Sequence, residues 1–249
     1  MMNQECRTVD FDGFTWELRL PSNIDTEIAE GRWWDVEVHD WICAYVKPGM
    51  ICVDAGANIG AFTMLMAREV GDRGYVYAFE PCPSFVERLR QHLEINGVQN
   101  AAVQTVALGD ESGPVLCLPD GPPYRSTARV GKHCKGPQAT AVEMMTMDTF
   151  FLPRKRPGFV KIDVDGCEMA LLEGGRKTIE RAKPIIVIEI PLSDEGIEIA
   201  GFLVDRGYRL RKGRHSEPVE VRQLGPSNAG GTLNVLALPD GPGSWNEEM

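Results

Sequence analysis

None of the seven cysteines (Cys6, Cys43, Cys52, Cys82, Cys117, Cys134 and Cys167) stands in a Cys-x-x-Cys pair, and their number is odd. That scatter fits a reducing compartment and speaks against a disulfide framework or a zinc site. Long apolar runs are also missing: no stretch approaches the ~20 residues that a spanning helix needs. The first residues carry acids and no long apolar core, so no signal peptide is expected. Basic residues are in deficit, 26 Lys and Arg against 36 Asp and Glu, for a net charge of −10. A broad nucleic-acid footprint is therefore not expected. The densest basic run, Arg209, Arg211, Lys212 and Arg214, reads as a solvated strand end and turn. No internal repeat is present. The expectation is a soluble, cytoplasmic protein with neither membrane nor nucleic acid as partner. Its 249 residues, 43% of them hydrophobic, suffice for the core of one α/β domain.

The most informative stretch is Val53-Asp54-Ala55-Gly56-Ala57-Asn58-Ile59-Gly60, with Glu80 twenty residues past its last glycine. Residues 50–53 read as a short buried strand, the glycines as a tight turn, and 61–70 as a helix that Gly71 can stop. A second apolar strand, 75–79, ends on Glu80. This layout holds a nucleoside: backbone approaches the ligand at the turn, and the acid takes both ribose hydroxyls. Glycine spacing discriminates among nucleosides. A dinucleotide site prefers Gly-x-Gly-x-x-Gly, which lets a pyrophosphate lie against backbone and a helix N-terminus. Here the pattern is Gly-x-x-x-Gly around Asn58, and Asp54 disfavours a nearby polyanion while suiting a ligand ammonium. S-adenosylmethionine fits, with its ribose on Glu80 and its amino acid part on the 54–60 loop. A dinucleotide, or a turn with no ligand, is the competing reading.

Residues 1–49 read as an N-terminal cap, with one or two strands within 11–20 and a helical stretch from Trp33-Trp34 through Trp41 to Val46. Those tryptophans are core, lid or homodimer contact, with core or lid preferred because large aromatics mostly bury area. A methyl-donor or nucleotide domain would span 50–238. After Glu80, Ser84 and Glu87 have capping-box spacing ahead of an apolar stripe, Phe85, Leu89 and Leu93, closed by Asn96-Gly97. A third strand is predicted over 103–108. The proline- and glycine-rich region 114–147 reads as inserted antiparallel strands with a long loop. Further elements are a strand at 159–164, a helix at 169–182, a strand at 184–190, a helix at 197–206 and a final strand pair at 208–211 and 232–238. Residues 239–249 form a tail. The predicted fold is α/β, a doubly wound, mostly parallel seven-stranded sheet with an antiparallel last strand. Ligands of such sheets sit at the carboxyl ends of strands.

The strand-end residues therefore carry the chemistry. Asp163, Asp165 and Glu168 put three carboxylates in six residues. Asp165 and Glu168 have the spacing of a helix capping box. Asp163 has no helix to cap and faces the crevice, and Glu189 occupies the same place one strand along. The pair could take a proton from an acceptor or hold a divalent ion; Ile190-Pro191 after Glu189 disfavours a complete metal cage. His39 and His133 are the histidines nearest the crevice, read as surface or supporting groups. Pro122-Pro123-Tyr124 has the wrong place and the wrong preceding residue for an N-methylating motif.

The chain resembles the FkbM family of class I S-adenosylmethionine-dependent methyltransferases between about residues 34 and 190. Beyond 53–60 the resemblance is carried by Tyr-Ala-Phe-Glu-Pro (77–81), Asn-Gly-Val (96–98), Ala-Leu-Gly-Asp (107–110) and Met-Asp-Thr-Phe (147–150). Its most specific part is Val-Lys-Ile-Asp-Val-Asp-Gly-Cys-Glu (160–168), similar to the family's Lys-Ile-Asp-Val-Glu-Gly-Ala-Glu, with Asp165 for Glu and Cys167 for Ala. The resemblance implies a Rossmann-like fold and O-methylation of a hydroxyl or carboxyl on a small molecule, often a sugar or natural product. The expected cofactor site is Asp54, Gly56, Asn58, Gly60, Glu80, Pro81, Ala107, Leu108 and Asp163, with Asp163, the first choice for the base, and Glu189 as catalytic candidates. Small-molecule N-methylation and a non-catalytic cofactor-binding module are the alternatives.

Overall fold

The computed structural model describes residues 5–119, 128–131, 136–154, 156–226 and 230–241. The N-terminal cap opens with an antiparallel hairpin, β1 (Glu5–Phe11) and β2 (Phe14–Leu20). Its turn uses Asp12 and Gly13, both at positive φ. Helix α1 (Asn23–Ala29) was not foreseen; Ser22 starts it by accepting the Asp25 N–H. Helix α2 (Val36–Tyr45) follows, burying Val38, Trp41 and Ile42. Trp33 and Trp41 are core, as preferred, whereas Trp34 is 37% exposed.

The main body runs β3 (Ile51–Ala55), α3 (Ala61–Val70), β4 (Tyr75–Phe79), α4 (Pro83–Ile95) and β5 (Ala101–Gln104). Next come β6 (Val106–Leu108), β7 (Gly113–Pro119), β8 (Ala128–Gly131), β9 (Thr140–Met145) and α5 (Met147–Phe151). The chain then forms β10 (Phe159–Ile162), α6 (Glu168–Gly174), α7 (Arg176–Ala182), β11 (Ile185–Pro191) and α8 (Asp194–Val204). It finishes with β12 (Tyr208–Lys212), β13 (Glu217–Pro218) and β14 (Thr232–Pro239). The central sheet has the order β13-β12-β14-β11-β10-β3-β4-β5. Strands β11 through β5 are parallel, and β14 is antiparallel to both its neighbours. This is the expected doubly wound sheet, with the two-residue β13 added at one edge. Winding reverses between β3 and β10, so a ligand crevice belongs at their carboxyl ends.

Period-2 alternation sorts the core onto two faces. Phe159, Ile185 and Val187 face one cluster with Trp41 and Met64, while Val160, Ile162, Ile186 and Ile188 face another with Leu171 and Ile199. Among the described residues no helix is long and apolar enough to cross a membrane. The basic run is spent locally: Arg209 pairs with Asp240, Arg214 with Asp40, and Arg211 donates to the Ser216 carbonyl.

Four expectations need correction. The third strand is two: β5 stays in the main sheet, and after Thr105 the chain passes into a second sheet, β6-β9-β7-β8. Helix α4 starts at Pro83 after Cys82, with no side-chain cap, so Ser84 and Glu87 lie inside it and form no capping box. The helix expected at 169–182 breaks at Gly174 and Gly175. A Cβ on Gly174 would lie 1.9 Å from the Gly109 carbonyl oxygen, so two backbones meet there. Asp165 does not cap α6; it sits at φ 50°, and the helix begins only after Cys167.

The cap is bolted to the main body through Arg88 of α4, which pairs with Asp25 and donates to the Glu17 carbonyl at 3.1 Å. Asp25 is fully buried and Arg88 nearly so. Arg88→Met leaves that carboxylate unpaired and is expected to cost about 3–5 kcal/mol. Chemical denaturation would measure this. Adding Asp25→Leu should recover most of the loss, because burial of the lone charge is what costs.

Candidate active site

A crevice opens at the carboxyl ends of β3, β4, β10 and β11. Its floor is the loop after β3. Gly56 (φ 75°) lies so close to β10 that a Cβ would stand 1.7 Å from the Asp163 carbonyl oxygen. Gly56 and Ala57 both donate their N–H to the Phe79 carbonyl at 3.0 Å. Asn58 takes φ 52°, a conformation that asparagine tolerates and bulkier residues resist, and its side chain accepts the Ile59 N–H.

Glu80 is the centre of this arrangement. One carboxylate oxygen accepts the Asn58 N–H and the other the Cys82 N–H, both at 2.8 Å. Only 4% of the residue is exposed, on the crevice wall. Burial raises its pKa to about 8, against the pull of those two N–H groups. Each oxygen keeps a lone pair for an incoming hydroxyl. Phe79, Pro81, Phe85, Val106, Ala107 and Leu108 supply an apolar wall beside it.

Of the predicted site residues, Gly56, Asn58, Glu80, Pro81, Ala107, Leu108, Asp163 and Glu189 all line this crevice. Asp54 and Gly60 do not. Asp54 is fully buried, accepting the Thr63 hydroxyl at 2.6 Å and facing Lys161 Nζ at 3.5 Å. The ammonium it suits is the protein's own, because Asp54 and Lys161 are register partners on adjacent parallel strands. Gly60 is turned toward α4, where a Cβ would collide with Leu89 at 2.3 Å. His39 is also off the wall, paired with Asp40 and packed on Trp33. His133 and Pro122-Pro123-Tyr124 lie outside the described residues.

The rim is acidic. Asp163 pairs with Lys161 at 3.2 Å, and the same ammonium donates to the Gly56 carbonyl at 3.2 Å. Burial works against the Lys161 charge, but Asp163 and Asp54 outweigh it and its pKa is raised. Asp165 lines the crevice and accepts the Ala128 N–H at 3.3 Å. Burial, then the charge of Asp163, pushes it up to about 7. Burial and Asp163 raise Glu189 as well, although the Thr232 hydroxyl donates to it at 2.6 Å. Glu168 accepts the N–H groups of Val164 and Gly166, so it builds the turn rather than the wall. Among the described residues no three His, Cys, Asp or Glu side chains group so as to hold a metal ion.

Trp34 reaches the crevice, as the lid reading of the tryptophans expected, whereas sequence reasoning missed Asp35, Phe62 and Lys161, all on this wall. Lys161 stood inside the 160–168 motif and could have been found from its alternation with Asp163 along one strand. Nothing local marked Asp35, which reaches the crevice from the cap.

The methyltransferase FkbM domain matches residues 54–210. Methyltransferase 1 from Beauveria bassiana (strain ARSEF 2860) is 28% identical over 142 residues, 49% of this chain and 57% of that protein. Among solved structures, methyltransferase FkbM from Methylobacillus flagellatus KT overlays with a TM-score of 0.49 at 17% identity, covering 76% of this chain and 43% of that one. Precorrin-6y C5,15-methyltransferase from Geobacter metallireducens GS-15 overlays at 0.48 and 12% identity, covering 83% and 88%. The chain thus spans about half the length of the two FkbM-type and fungal relatives. With its glycine loop, Glu80 and the 160–168 motif inside the matched region, the chain belongs to the methyltransferase FkbM family.

Proposed function

We propose that this chain transfers a methyl group from S-adenosylmethionine to a hydroxyl oxygen of a small molecule, of the sugar or natural-product kind. The observation that supports this most is Glu80, a buried carboxylate fixed by two backbone N–H groups, opening into the same crevice as Asp163, Asp165 and Glu189. Glu80 would hold the ribose hydroxyls, the apolar wall from Phe79 to Leu108 the adenine, and the Gly56–Asn58 backbone with Asp163 the amino acid part. When bound, S-adenosylmethionine supplies a methyl on a cationic sulfur, open to in-line attack. Held by Glu80 and the Gly56–Asn58 backbone, that methyl would be presented in line to the acceptor oxygen, with the sulfur departing as a neutral thioether. A rim carboxylate would take the hydroxyl proton. Asp163 was the first choice from sequence, but its carboxylate is engaged by the Lys161 ammonium at 3.2 Å. Asp165, near neutrality and, among the described residues, without a lysine partner, is better matched to that work. The acidic rim favours a hydroxyl over a carboxyl acceptor, since an anion would meet like charge.

S-adenosylhomocysteine at about 100 times its Kd should stabilise the protein by about 2.7 kcal/mol. For a chain of this size that raises the Tm by roughly 5–10 °C. NAD, whose pyrophosphate meets the acidic rim, should give no shift. A shift with NAD alone would overturn the cofactor assignment. Labelled methyl transfer followed by mass spectrometry separates O- from N-methylation and both from a non-catalytic module.

A further inference from the structure

We propose that Asp35 and Trp34 of the N-terminal cap bind an ammonium group on the methyl acceptor, so that the acceptor is an alcohol that also carries an amine. The inference rests on the methyltransferase reading above. It concerns residues that lie outside the matched region, 54–210.

Asp35 occupies the N-cap position of α2, where aspartate ordinarily bonds a helix N–H, but its side chain makes no such bond. Its backbone is left-handed, φ 49° and ψ 69°, a conformation non-glycine residues adopt at a cost of about 1–2 kcal/mol. Among the described residues its carboxylate has neither hydrogen bond nor ion pair, although it is partly buried and lines the crevice. A strained, unpartnered carboxylate in a ligand crevice points to a partner that arrives with the ligand. Trp34, exposed next to it, lines the same crevice. An aromatic face beside a carboxylate is the arrangement that recognises an ammonium, through cation–π attraction and charge together.

The charge around the crevice supports the same class. Among the described residues Asp35 feels the negative charges of Asp163, Glu189 and Glu37 and the positive charge of Lys161. That cation is already shared by Asp54, Asp163 and the Gly56 carbonyl. Burial and the charge of Asp163 push Asp35 up to about 6. A cationic acceptor relieves this repulsion and an anionic one aggravates it. A carboxylate on the ammonium also keeps the nitrogen protonated, so its lone pair is withheld and the methyl goes to oxygen.

The test uses the full chain with glucosamine, glucose and glucuronate as probe acceptors, and Asp35→Asn and Trp34→Leu as variants. Asparagine tolerates the left-handed backbone, so Asp35→Asn removes charge without adding strain. The wild type should prefer glucosamine over glucose by about tenfold or more in kcat/KM, chiefly through KM, and leave glucuronate untouched. Asp35→Asn should shrink that preference by about tenfold, and Trp34→Leu by a smaller factor. S-adenosylhomocysteine affinity, read by calorimetry, should stay within about twofold in both variants. Equal use of glucuronate, an unchanged preference in Asp35→Asn, or N-methylated product overturns the proposal. A drop of about tenfold in S-adenosylhomocysteine affinity also overturns it, by placing Asp35 on the cofactor. Turnover of none of the three by a protein that binds S-adenosylhomocysteine refutes the acceptor class alone. Failure of the wild type to bind S-adenosylhomocysteine refutes the reading beneath it.

Discussion

Glu80→Gln is expected to weaken S-adenosylhomocysteine binding by about tenfold to a hundredfold, because each charge-assisted hydrogen bond to a ribose hydroxyl contributes about 1.5–3 kcal/mol. The glutamine is nearly isosteric and keeps one acceptor for a backbone N–H, so the protein should stay folded. Glu80→Ala is the harsher variant, since it strips both Asn58 and Cys82 of their acceptor. The same residue predicts a pH dependence. Glu80 in the folded, empty protein titrates near 8, above its ordinary 4.5, so the folded state holds a proton that the unfolded state has lost. Its contribution to stability is therefore present below about 4.5 and is lost as pH rises toward about 8. Hydroxyl donors favour the ionised carboxylate, so ligand affinity should move the opposite way and strengthen over that window, with proton release. Calorimetry in two buffers of different ionisation enthalpy reads that proton directly. Affinity independent of pH in the wild type, or equal in Glu80→Gln, would sink the assignment.

Asp165→Asn should lower kcat by about 10²–10⁴ while S-adenosylhomocysteine affinity barely moves, as expected when a general base loses its charge. Asparagine keeps the left-handed backbone of residue 165 and an acceptor for the Ala128 N–H, so the fold is preserved. In the wild type, kcat/KM should fall as pH drops through about 7, where the Asp165 carboxylate protonates. That limb should vanish in the variant. Asp163→Asn should behave differently: it unbalances Lys161 and so weakens ligand binding and stability along with turnover. Full activity in Asp165→Asn with a dead but well-bound Asp163→Asn would return the base role to Asp163.

The crevice floor was readable from the sequence because its signals are consecutive. Strand, glycine turn, helix and terminal acid follow one another within 51–80, and each residue's role depends on near neighbours. The errors arose where a distant backbone decides the outcome. Apart from the polar pair Gln104-Thr105, nothing in 103–108 records that the chain creases at Thr105 and changes sheets. Asp165 and Glu168 do have capping spacing, but two successive positive φ values, at Asp165 and Gly166, delay the helix. Asp54 was assigned to a ligand because its partner, Lys161, lies more than a hundred residues away in sequence and next to it in register. Asp35 carried no local signal, since its role exists only once the cap is docked by the Arg88–Asp25 pair.

The second sheet is tied to the main body at several places among the described residues: the crease at Thr105, the backbone contact of Gly109 with Gly174, the Ala128 N–H on Asp165, Cys167 Sγ on the Val130 carbonyl, and Leu108 packed in the main core. The face it turns to the crevice carries Ala107, Leu108 and Val130, so the bulk of those three side chains bears directly on the size of molecule admitted beside them.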